Sequence, residues 1–202
     1  MILQSLTVTL ILIAGLIGFE SLARLTQVSQ SFIRKLVHVS MGLTVVAITY
    51  FVDYKVFIWS AIIFTIILIA ARKYYRLFSL RDRQDKSWGE VFFPIGIGMT
   101  ALLAPTATIF AVSVLIMTLG DTAAYVFGDA FPRSHVILPG RTIAGSGANL
   151  FVTLAILLSF GIDPVPAAIA TSGVVIAEIL SIRGLDNLMM PLVATVILTL
   201  FH

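Results

Sequence analysis

The chain has 202 residues, of which 59% are hydrophobic and only 11% charged, with a formal net charge of +3 and no cysteine. A soluble domain carries about 25% charged residues, so this composition excludes a soluble enzyme, a disordered chain and a disulfide scaffold, and with them cysteine nucleophiles and cysteine metal sites. An all-α, polytopic transmembrane helical bundle is expected, forming one domain over residues 1–202.

Eight spans are predicted. The first, Ile2–Phe19, has no basic leader and no polar cleavage motif, so it reads as a span and not as a removed signal segment. Leu36–Val52 and Val56–Ala71 follow. The fourth, Val91–Ala104, carries Pro94, Gly96 and Gly98 and is expected to be tilted, kinked or partly re-entrant. Thr106–Phe127, Ala148–Ile162, Val165–Ser181 and Leu188–Phe201 complete the set, with seven or nine spans as the competing counts. Of the 13 Lys and Arg residues, all but Lys55 then fall on one face. That bias marks the cytosolic side and puts both termini opposite. The basic face would also attract anionic headgroups or a phosphorylated substrate, and no nucleic-acid partner is expected.

Several polar constellations interrupt the apolar pattern. Arg34, Lys35 and His38 open the second span. Arg34 and His38 share a helix face, with Gly42 on the same face leaving room for a neighbour. They form either an interfacial anchor or a phosphate patch. Lys86–Gly98 reads K-S-W-G-E-V-F-F-P-I-G-I-G, in which Lys86 and Glu90 could pair and Trp88 could sit at the interface. Irregular helices of this kind tend to line polar cavities. Asp121 is the most informative residue, because a carboxylate so close to hydrocarbon is costly and marks a functional site by default. Ala124 and Gly128 share its face, and Asp129 follows. Two carboxylates could hold Mg²⁺, which takes oxygen ligands and keeps substrate phosphates and waters. A buried ion pair with Arg34, Lys35 or Arg141 is the alternative.

Further along, P-G-R-T-I-A-G-S-G-A-N places Gly145, Ser146 and Gly147 beside Arg141. Backbone amides leading into a helix form an anion site, although the nucleotide loop of soluble ATPases is absent. A tight turn is the alternative, and Asn149 is either a supporting donor or a packing residue. Glu178 lies in the seventh span. Asp186 and Asn187 open the eighth, Asp186 as an N-cap or as part of an acidic set with Asp121 and Asp129. Asp53, Asp163, His135 and His202 carry no assigned role. Basic groups, small residues and acids thus converge on one membrane edge among apolar helices. That suits a metal-bridged, phosphate-bearing ligand meeting a lipid-soluble one, hence phosphoryl or nucleotidyl transfer.

These motifs resemble the integral-membrane CTP-dependent polyprenol, dolichol, phytol and diacylglycerol kinases, themselves similar to phosphatidate cytidylyltransferases. The early R-K-x-x-H-x-x-x-G falls on Arg34, Lys35, His38 and Gly42. K-x-x-G-x-x-x-[FY]-P falls on Lys86, Gly89, Phe93 and Pro94, and D-x-x-A-x-x-x-G on Asp121, Ala124 and Gly128. K-S-W-A-G-S corresponds to Arg141 through Ser146, and D-N-x-x-x-P to Asp186, Asn187 and Pro191. Arg141 and Ala144 depart from the Lys and Glu of many dolichol kinases and cytidylyltransferases, which leans toward the isoprenoid-alcohol branch. The resemblance implies transfer of the γ-phosphoryl of CTP to a membrane lipid alcohol in the bilayer. It implies Mg²⁺ on Asp121 with Asp129 or Asp186, and phosphate neutralisation by Arg34, Lys35, Lys86 and Arg141. It also implies phosphate contact from Gly145–Gly147, nucleotide contacts near Gly128, Asn149 and Asn187, and His38 or an acid as proton acceptor. A CDP-lipid-forming cytidylyltransferase and a small membrane transporter are the competing readings.

Overall fold

The computed structural model describes residues 1–25, 29–74, 87–131, 134–138 and 140–202. Helix ends follow local chemistry. The Ser29 hydroxyl caps α2 (Gln30–Ile48) by accepting from the Phe32 amide, and Thr106 caps α5 (Ala107–Leu115) through the Ile109 amide. Such caps satisfy amides that the helix itself leaves unpaired. The remaining early helices are α1 (Ile2–Leu25), α3 (Val56–Tyr74) and α4 (Gly89–Leu103). α4 is helical throughout, across Pro94 and its glycines, so this segment is not an unwound loop.

The predicted fifth span is interrupted. α5 runs into a π-helical segment (Ile116–Gly120) and then into α6 (Asp121–Ala130). After it comes a short antiparallel ribbon, β1 (Val136–Leu138) paired with β2 (Arg141–Thr142). The predicted spans contain no such ribbon. α7 (Ile143–Ser159), α8 (Pro164–Leu180) and α9 (Asp186–Leu200) close the chain.

Four helical stretches are long and apolar enough to cross a membrane: Ile2–Leu25, Gln30–Ile48, Val56–Lys73 and Ala107–Ala130. They give the chain its membrane-associated character. Gly89–Leu103, Ile143–Ser159, Pro164–Leu180 and Asp186–Leu200 are apolar but shorter. They rise about 22–26 Å at 1.5 Å per residue, against a hydrocarbon core of about 30 Å.

α5 is buried from Ile109 to Leu115, as a helix that is apolar all round must be. It is the central post, with α2, α4, α7 and α9 packed around it. Hydroxyls stitch the seams. Thr195 donates to Ser113 at 2.9 Å between α9 and α5, and Ser60 donates to the Ser5 carbonyl at 3.0 Å between α3 and α1. Such hydrogen bonds hold helices together where packing alone gives little preference. Lys55 donates to the carbonyls of Ala101 and Ala104, at 2.9 and 3.1 Å, at one end of the bundle. Lys35, Arg72 and Arg141 make their contacts at the other end, where α2, α4 and α9 begin.

Candidate functional site

The π segment delivers Asp121. It widens the helix just before α6, and π turns recur at functional sites. Gly42 of α2 lets it approach, since a Cβ there would come within 2.7 Å of Thr118 Cγ2. This is the neighbour that the small residue at position 42 was expected to admit. Asp121 is only 6% exposed, and its Oδ2 accepts from Lys35 Nζ at 2.5 Å. His38 Nε2 lies 3.6 Å from the same oxygen and 3.3 Å from the Met117 carbonyl. A ring N–H donated to that carbonyl is Nε2–H, which in the neutral tautomer leaves Nδ1 as the acceptor. Phe93 stacks edge-on against the imidazole, with centroids 4.8 Å apart. Lys35, His38 and Asp121 therefore form one unit, made from two helices far apart in sequence.

A second unit surrounds Arg141 in β2. Its Nη1 donates to Glu178 Oε1 at 2.5 Å, and its Nη2 donates to Asp186 Oδ2 at 2.7 Å and to the Ser181 carbonyl at 3.2 Å. Ser146 donates to the other Glu178 oxygen at 3.1 Å. Burial works against the Arg141 charge, yet the Asp186 and Glu178 carboxylates outweigh it and hold the guanidinium above the usual arginine value. The planar fork of arginine suits two acceptors at once, which a lysine ammonium would serve less well. Arg141 thus ties β2, α8 and α9 together.

A pocket of about 540 Å³ opens beside these units, within the range that buries a small ligand. Arg34, Lys35, His38, Asp121, Asp186 and Asn187 line it, and so do Arg183 and Glu90. Asn187 is held by its Nδ2, which donates to the Gly89 carbonyl at 2.9 Å. Arg183 adopts φ 54°, a left-handed conformation rare for a residue with a side chain. Its carbonyl accepts from the Trp88 amide at 2.9 Å, so the strained turn is pinned to the start of α4. Glu90 pairs with Arg72, whose guanidinium lies 4.3 Å above the Trp88 ring. From the sequence, Arg183 and Arg72 had no role beyond that of the basic face as a whole. The signal that could have singled out Arg183 is the R-G pair one residue ahead of D-N.

Other expected site residues lie elsewhere. Gly145 and Ser146 are not in an open loop, because Thr142 caps α7 and the helix begins at Ile143. The first amides of α7 are all taken: Ile143 donates to the His135 carbonyl, Ala144 to Ser134 Oγ, and Gly145 to Thr142 Oγ1. The expected backbone anion site is therefore closed. Gly145 serves packing instead, since a Cβ there would sit 2.6 Å from the Ala124 carbonyl. Gly147 faces outward, and Gly128 packs toward Thr142. Asn149 is fully buried, accepts from Thr153 at 2.9 Å, and occupies the space that Gly120 leaves open. It is a packing residue of the α7 seam and does not line the pocket. Asp129 is exposed, and eight residues of helix put it about 12 Å along the axis from Asp121. Lys86 lies outside the described residues, as do Arg76, Arg81, Arg83 and Arg133.

No group of three or more His, Asp or Glu side chains that could hold a metal by themselves occurs among the described residues. The pocket instead holds Asp121 and Asp186, each with one oxygen given to a cation. Two carboxylates at one pocket match the one or two that Mg²⁺ commonly takes, its remaining positions going to waters and phosphates; Asp186 Oδ1 also accepts from the Asn187 amide at 3.0 Å. The chain matches no family model, no curated protein and no solved structure.

Proposed function

We propose that the protein is a CTP-dependent lipid-alcohol kinase, moving the γ-phosphoryl group to an isoprenoid alcohol or a diacylglycerol. One observation carries the reading. A single pocket is bordered by Arg34, Lys35, Arg183, Asp121 and Asp186 and also by Leu16, Met41, Phe64 and Leu68. It can therefore receive a phosphate chain and a lipid end together. Choice of CTP rests on the motif resemblance.

In this reading Arg34, Lys35 and Arg183 bind the triphosphate, since phosphoryl transfer depends on positioning and charge neutralisation. Asp121 and Asp186 would hold Mg²⁺, which when bound neutralises developing phosphate charge. Asp129 is too far from Asp121 to share that ion. The alcohol oxygen forms the new bond to the γ-phosphorus, the bond from that phosphorus to the β–γ bridging oxygen breaks, and CDP leaves. His38 Nδ1 takes the hydroxyl proton, its ring held by the Met117 carbonyl. Arg141 keeps Asp186 in place and does not touch substrate. The same reading has eight spans, both termini on the non-cytosolic side and the pocket opening to the cytosol. Because the chain has no cysteine, single introduced cysteines report that orientation cleanly.

The test uses purified protein with CTP labelled at the γ position and a panel of lipid alcohols. Label moving into lipid supports the kinase, whereas release as pyrophosphate supports a cytidylyltransferase. Asp121→Asn should lower transfer by at least about a hundredfold while the protein stays folded and membrane-inserted. Near-normal transfer in that variant sinks the assignment of Asp121.

A further inference from the structure

The apolar wall of the pocket does not end where the charged groups do. Met41, Phe64 and Phe93 line the pocket and also line a second cavity that continues toward Leu12, Val45 and Ile97. All three are buried, so they form a partition between the two spaces. The second cavity holds only about 10 Å³ of free space, roughly one water, so a chain reaches past the partition only where these three side chains turn aside. The seam has a topological origin. α2 packs on α1, α5 and the π segment, while α3 packs on α1 and α4. The two sets of helices meet along a line that starts at the charged mouth and is lined by apolar side chains.

An apolar slot leading from a cationic mouth fits an amphiphile with one tail. We propose that this seam holds the single hydrocarbon chain of the acceptor alcohol, and that Met41, Phe64 and Phe93 determine how much of the chain enters. The proposal rests on the lipid-alcohol reading above and narrows it to one-chain alcohols. Phe64 is the decisive side chain. It belongs to α3, apart from the Asp121 and Arg141 units, and removing its ring would join the two cavities. Each further chain methylene buried there would raise affinity about fourfold.

The test needs no nucleotide. Decanol, tetradecanol and octadecanol compete for the purified protein in detergent micelles, and native mass spectrometry reads their relative occupancy. In Phe64→Ala the octadecanol-to-tetradecanol ratio should rise by about fourfold or more relative to wild type. In Phe64→Trp the ratio should fall. Unchanged ratios in both folded variants overturn the proposal, as does dioleoylglycerol competing as well as octadecanol. If Phe64→Ala does not fold, Phe64→Leu gives a smaller shift in the same readout. Labelled CTP then separates the two claims. A shifted ratio without phosphate transfer keeps the tail slot and removes the kinase, and transfer with an unmoved ratio does the reverse.

Discussion

Arg141→Met should destabilise the protein far more than its surface position in a short ribbon implies. The guanidinium makes charge-assisted contacts to Glu178 at 2.5 Å and Asp186 at 2.7 Å. Glu178 is 1% exposed and Asp186 is 8% exposed. Without Arg141 Glu178 keeps only Ser146 and Asp186 only the Asn187 amide, and the Glu178 side chain is closed to water. Breaking one buried ion pair by removing one member costs about 3–5 kcal/mol, and here a single residue serves two acids. For a chain of this size that loss corresponds to a fall in melting temperature of about 6–20 °C. The assay is thermal melting of purified protein in detergent, run as a double-mutant cycle. Glu178→Gln alone should cost less, because the amide oxygen can still accept from Ser146. In the double variant much of the Arg141→Met penalty from Glu178 should disappear, since no charge is stranded there. A melting temperature for Arg141→Met within about 2 °C of wild type, well under the shift expected for a broken buried pair, would refute the structural role given to Arg141.

Two further outcomes test the geometry of the pocket. Gly42→Ala drives a methyl group into Thr118 and should cost about 1–3 kcal/mol by overpacking; Thr118→Ala in the same chain should restore part of the melting temperature. Arg183→Gly should act in opposite directions on stability and function. Relief of its left-handed backbone should stabilise by about 1 kcal/mol, while in the proposed kinase loss of the charge should weaken CTP binding by about tenfold, read as the apparent KM. A variant that melts lower and binds CTP normally would remove Arg183 from the phosphate site.

The candidate site was legible where chemistry is local. Asp121 stood out because an acid inside an apolar stretch is costly, and Lys35 was among its possible partners. The 2.5 Å contact between them is one of the buried pairs named for it. Glu178 was placed in a span but was left without a partner, which lies in a ribbon that no helical periodicity signals. The glycine-rich run at Gly145–Gly147 was misread as an open anion loop. The same residue types serve close packing equally well, and only the Thr142 cap and the Ala124 contact distinguish the two. The π segment escaped notice because Ile116–Gly120 is apolar and helical by pattern, and an altered turn leaves no compositional mark.

Composition alone decided that this chain cannot be a soluble domain, since so few charges cannot cover its surface. Hydrophobic run length placed the helices, and the cost of charge in hydrocarbon singled out Asp121. Tertiary structure decided the rest. It chose which cation meets which acid and set the charged mouth over an apolar seam. These depend on contacts between residues distant in the chain, where sequence spacing carries no information about distance.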